Sequence, residues 1–93
     1  MTIGVVSADA DSTKTGPVLL SDHWYRLVNA GENELWYRLD GDTPTVRQPP
    51  AGFIPAGGWT ITRGGGSRVV VRGDTGESVH LLIEALTPTR DAP

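Results

Sequence analysis

Gly and Pro punctuate this chain so densely that no run of ten or more residues keeps a 3.6-residue apolar period free of both. A helix needs such a run, because its buried face recurs at that period and both residues disfavour its interior. The apolar residues instead fall in short runs bounded by turn residues. Pro17–Leu20, His23–Asn29, Glu34–Leu39, Trp59–Arg63, Ser67–Arg72 and Ser78–Leu86 read as strands. Many short strands with frequent turn signals predict an all-β fold, either a small antiparallel β-sandwich or a partly open barrel. The chain's 93 residues suit one domain.

The densest stretch runs from Tyr25 to Asp42. With Trp24 just before it, it holds two of the three Trp and both Tyr. Two apolar-rich arms flank Ala30-Gly31-Glu32-Asn33, which predicts a β-hairpin of His23–Asn29 against Glu34–Leu39. Placing Leu27 opposite Tyr37 makes one face wholly apolar: Tyr25, Leu27, Leu35, Tyr37 and Leu39. Trp24, Arg26, Val28, Trp36 and Arg38 then point to the other side. A second hairpin is expected from Ser67–Arg72 and Ser78–Leu86 around Gly73-Asp74-Thr75-Gly76. In its last arm Val79, Leu81, Ile83 and Ala85 share one face, and Leu82 and Leu86 the other. A single sandwich needs only one apolar face per strand, so the surplus predicts oligomerisation or docking onto a large assembly.

Ile3-Gly4-Val5-Val6 opens the chain and a polar stretch, Ser7–Gly16, follows. Residues 1–16 are expected to form an extended N-terminal arm that adds to a sheet edge, its own or a neighbour's; an ordinary first strand followed by a long loop is the alternative. Residues 17–87 would then be the β-domain and 88–93 a flexible polar tail. The Pro-rich segment 40–52 reads as a long functional or interface loop, and Gly64-Gly65-Gly66 as a flexible connection.

Chemical motifs are sparse. There is no Cys, which excludes disulfides and thiolate chemistry. A net charge of −3 and a pI near 5.1 disfavour a nucleic-acid partner. Nothing reads as a signal peptide or a membrane span, so a protein made and used without export, with no membrane partner, is the expectation. His80 and Glu84 on one strand stand roughly 13 Å apart at about 3.3 Å per residue, too far to pair. No Gly-x-Ser-x-Gly elbow is present. Catalytic residues are therefore not assigned, and a non-enzyme is expected. Glu32, Glu34, Asp40 and Asp42 cluster in sequence but lack the ligand spacing of a calcium loop. Gly64–Arg68 lacks P-loop spacing. Neither metal nor cofactor is expected. Arg72-Gly73-Asp74 spells the cell-adhesion tripeptide at an expected hairpin tip, where a Gly-Asp turn suffices to explain it. Trp24, Trp36 and Trp59 could stack on a carbohydrate, anchor an interface or fill the core.

One pattern points to a family. It reads Leu27-Val28-Asn29-Ala30-Gly31, then Leu35-Trp36-Tyr37-Arg38-Leu39-Asp40-Gly41, then Ile54-Pro55-Ala56-Gly57-Gly58-Trp59-Thr60-Ile61. Over residues 23–86 this resembles small bacteriophage virion proteins, the capsid decoration and minor capsid β-domains. The resemblance implies a non-enzymatic structural role on the outer capsid surface, after assembly in the host cytoplasm. Its partner would be the major capsid protein, bound as a homotrimer at threefold positions. A head–tail connector or tail component is the neighbouring alternative, and a carbohydrate-binding module the rival from another class. On this reading Ile3, Val5 and Val6 contact the capsid, and Trp24, Trp36 and Leu82 form subunit contacts.

Overall fold

The computed structural model describes residues 2–86, and the tail expected over residues 88–93 lies outside the described residues. Eight strands and no helix make up the described chain: β1 (Thr2–Ala8), β2 (Thr13–Val18), β3 (Trp24–Asn29), β4 (Leu35–Arg38), β5 (Gly52–Ile54), β6 (Trp59–Arg63), β7 (Arg68–Gly73) and β8 (Val79–Leu86). They form two four-stranded sheets. The first, sheet A, runs β1-β8-β3-β6, and the second, sheet B, runs β2-β7-β4-β5. Every pairing is antiparallel. Two facing sheets in this order, with the chain passing back and forth between them, have the architecture of a jelly roll.

The core lies between the sheets. Val6, Ala8, Tyr25, Leu27, Val79, Leu81 and Ile83 come from sheet A, and Leu35, Ile54, Val69 and Val71 from sheet B. Leu19, just past β2, is fully buried among them, and Tyr37, Leu39 and Ala85 pack at the margin. The alternation read from the sequence is borne out: Tyr25 and Leu27, and then Leu81 and Ile83, face inward, while Trp24, Leu82 and Leu86 do not.

Neither expected hairpin forms. β3 pairs with β6 and β8, while β4 pairs with β5 and β7 in the other sheet. Leu27 therefore lies opposite Ile83 and Thr60, and Tyr37 opposite Val71 and Gly52. The reason sits at Asn29, which is fully buried. Its side-chain oxygen accepts from Gly31 N (3.1 Å), and its amide donates to the carbonyls of Asn33 (2.8 Å) and Ile54 (3.0 Å). That Asx turn steers the chain across the core to the facing sheet instead of back alongside β3. Likewise β7 and β8 lie in different sheets. Among the connections of the described strands, only that from β4 to β5 stays within a sheet.

The N-terminal segment adds to a sheet edge of its own chain, as β1 against β8, but it is not a separate arm followed by a flexible loop. From Thr2 on it contributes a strand to each sheet, β1 pairing with β8 and β2 with β7. Thr13 and Thr15 suit a strand, and the turn between β1 and β2 is closed by Ser12 N and Oγ, both donating to Asp9 O. The triple glycine is no loose linker either. Gly64 is buried against the Leu19 and Leu20 backbone, where a Cβ would collide with their carbonyl groups, and Gly66 has φ +78°.

Candidate interaction surface

The outward side chains of sheet A make one apolar field. Register aligns them in rows across the four strands. Val5, Leu82, Val28 and Trp59 form one unbroken row. The next contains Thr2, Glu84, Arg26 and Ile61, with Ile3 beside Thr2 in the register break of β1, and the last contains Leu86, Trp24 and Arg63. Trp59 is 59% exposed, Val5 51%, Trp24 and Ile61 48%, and Ile3 39%. Leu82, Val28 and Leu86 are half-buried between them. A large contiguous apolar field of this kind is uncommon on a protein that works alone.

Charge on this face is arranged to spare the rings. Arg26 Nε bonds Glu84 Oε1 (2.5 Å) across β3 and β8. The Arg26 guanidinium stands 5.9 Å from the Trp59 ring centre, and that of Arg63 stands 5.3 Å from Trp24. Both cations are held over ring faces, where the aromatic quadrupole attracts them. The face therefore presents hydrocarbon and π surface with few unpaired charges.

Four of the six residues expected to make contacts lie on this face: Ile3, Val5, Trp24 and Leu82. Val6 does not. It is 3% exposed and points into the core, because adjacent strand residues face opposite ways. Trp36 is on the outer side of sheet B but only 4% exposed. Phe53 stacks obliquely against it at 5.2 Å, and Arg47, from the long loop, lies 5.4 Å above its ring. The expected subunit contact at Trp36 is thus covered by its own chain. Trp59 and Ile61 belong to the face because β6 pairs with β3. Their alternation marked them as a strand, but no sequence signal told which strand they would lie beside.

The Trp36 region also forms a shallow groove of about 420 Å³, lined by Glu34, Arg47, Gln48, Pro49 and Phe53. Arg47 also pairs with Asp74, whose carboxylate accepts from Thr75 N (2.7 Å). The Arg47 bond is the main cause holding Asp74 below the ordinary carboxylate range. The Arg72-Gly73-Asp74 tripeptide is therefore not displayed at a tip: Gly73 is buried at the end of β7 and Asp74 is engaged. Asp40 and Asp42 both pair with Arg38, and among the described residues no three acidic or histidine side chains gather as a metal site requires. No helix among the described residues is long and apolar enough to cross a membrane.

One contact was not foreseen. Ser7 Oγ lies 2.5 Å from His80 Nδ1, beside a groove of about 440 Å³ that Asp9 and Glu32 also line. The pair has the reach of a nucleophile and base. Yet it is exposed, and among the described residues no carboxylate bonds the other ring nitrogen to orient the imidazole. The other histidine, His23, bonds its neighbour Asp22 at 2.7 Å on the surface.

No protein-family model matches this chain, and no curated protein or solved structure is significantly similar to it.

Proposed function

We propose that this chain is a non-enzymatic structural protein that docks onto a large assembly through the outer face of sheet A. In particular, we propose a bacteriophage capsid decoration protein, lying on the outer capsid surface against the major capsid protein. The observation that carries the docking reading is the apolar row Val5–Leu82–Val28–Trp59 with its flanking Ile3, Trp24 and Ile61. Burying such a surface on a partner is favourable at about 25 cal/mol per Å² of apolar area, before the cost of association. The choice of a phage head rests on the resemblance over residues 23–86. The jelly-roll architecture is compatible with it, as viral capsid domains use this fold alongside lectins and cupins.

A head–tail connector or tail component would use the same face, and copy number per particle separates it from decoration. The carbohydrate reading is weaker. Trp36 is covered, and an arginine already stands over the rings of both Trp24 and Trp59. Among the described residues no carboxylate orients the Ser7–His80 pair, which favours a non-enzyme.

The test is co-pelleting of purified protein with phage heads assembled without it. Many copies per head are expected. The double variant Val5→Lys/Trp24→Asp, folded by circular dichroism, should lose at least about tenfold in affinity, as central interface residues do. Wild-type protein left in the supernatant, or a double variant that pellets like wild type, would overturn the reading. Quenching of tryptophan fluorescence by glycans, without binding to heads, would favour the carbohydrate-binding alternative.

A further inference from the structure

Four strands end the two sheets, and open edges are normally defended against pairing with other chains by bulges, prolines, charges or brevity. Three of them are. β1 has a register break between Thr2 and Gly4. β2 carries Lys14 and Pro17 and breaks register between Thr15 and Val18. β5 has three residues, with Pro49 and Pro50 before it and Pro55 after it. β6 lacks every such device except one terminal charge, Arg63. Its five residues contain neither Pro nor Gly and keep unbroken register with β3.

The free backbone groups of β6 follow from its bonds to β3. Asn29 N donates to Gly58 O (2.9 Å) at one end, and Gly64 N donates to His23 O (3.1 Å) at the other. Bonded and non-bonded pairs alternate along an antiparallel ladder. Thr60 and Thr62 therefore turn their N–H and C=O toward β3. Trp59, Ile61 and Arg63 turn theirs to the open edge.

We propose that β6 pairs antiparallel with β6 of a second copy of this chain, about a two-fold axis through Ile61. In that register Ile61 meets Ile61 and Trp59 meets Arg63 twice over. All three residues have outward backbone groups; the Arg63 carbonyl already accepts from Thr62 Oγ1 (3.1 Å) but keeps a second lone pair, so roughly six ladder bonds can close without breaking one to β3. On the inner side Thr60 meets Thr62. The β-branched pairs are of a kind that stabilises sheets, and the aliphatic stem of Arg63, whose guanidinium stays over Trp24 of its own chain, lies beside the exposed Trp59 of the second copy. No like charges oppose each other. This self-complementarity is what a two-fold interface requires and is why a second copy fits better than an unrelated strand. The two sheets A become one eight-stranded sheet, and their outer faces become one surface. The arrangement is two-fold, where the resemblance implied three-fold, and it does not depend on what the face binds.

Sedimentation equilibrium of the full chain should give about twice its mass of 9.9 kDa. Ile61→Pro removes an outward N–H but no bond to β3, and should give monomer. Ile61→Lys, which keeps the backbone intact, should do the same. Val5→Lys, on the same face but the opposite edge, should remain dimeric. The chain has no Cys, so Ile61→Cys should be joined into a dimer by a short thiol–thiol crosslinker. Phe53→Cys, on the other sheet and 48% exposed, should not. A wild-type monomer or trimer overturns the proposal, as does a dimer that survives both Ile61 substitutions or one that Val5→Lys abolishes.

Discussion

Asn29 shows how much one side chain can decide. Buried between three strands, it satisfies the carbonyls of Asn33 and Ile54 and anchors Gly31 N. Asn29→Ala would leave buried polar groups without partners, at about 2–3 kcal/mol, to be read as a lower urea midpoint with unchanged slope. Gly64 is the second such position. Gly64→Ala drives a methyl group into the Leu19 and Leu20 carbonyls, and a loss of about 1–3 kcal/mol is expected by the same measurement. Asp74 works through charge. Its pKa is depressed by Arg47, so the pair adds stability above the ordinary carboxylate value and loses it as pH falls through the folded value. Asp40, held low chiefly by Arg38, behaves in the same sense. Asp74→Asn and Asp40→Asn should each lower the melting temperature most near neutrality, with the difference from wild type shrinking as pH falls, so that the acid limb of a plot of melting temperature against pH is flatter. At this scale the sequence was partly legible. Asn29-Ala30-Gly31 announced a turn, and only its direction was hidden, because an Asx turn can fold a chain beside itself or across a core.

The strands themselves were legible from alternation, and so were the faces of β3 and β8. Their partners were not. An alternating strand buries one face equally well beside its sequence neighbour or opposite it, so periodicity cannot distinguish a hairpin from a crossing between sheets. The same ambiguity concealed β1 and β2. Polar Thr13–Gly16 looked unstructured, yet an edge strand needs only one packed face, and here Gly16 supplies it with almost no side chain. Deleting residues 1–16 therefore removes an edge from each sheet, including Val6 and Ala8 from the core. The truncated chain should lose cooperative thermal unfolding and near-ultraviolet circular dichroism, rather than lose partner binding alone. Neighbouring positions on β1 provide a finer check. Val6→Lys should abolish folding, since it buries an unpaired charge, while Val5→Lys should leave melting nearly unchanged.

For the whole molecule, the surplus of apolar side chains leads to the expectation of a second buried surface, and the fold gathers most of that surplus onto one exposed side. Leu81 and Leu82 make the contrast measurable. Leu81→Ala opens a cavity in the core and should cost about 2–5 kcal/mol, whereas Leu82→Lys should change stability little and reduce binding of a hydrophobic dye. The site was legible as a tendency, through Trp24, Val5 and Leu82, but its extent depended on β6 settling beside β3. The path of the chain carries a kinetic consequence as well. β1 is hydrogen-bonded to β8, and almost every consecutive pair of strands is split between the sheets, so few native contacts are local. Loop-closure entropy must be met before those contacts repay it, which places refolding in the millisecond-to-second range typical of all-β domains. Stopped-flow fluorescence should show this slow phase. Until it is complete, the side chains that share sheet A's outer face are not yet neighbours, so the apolar surface we propose for docking should emerge only with the final, cooperative step of folding.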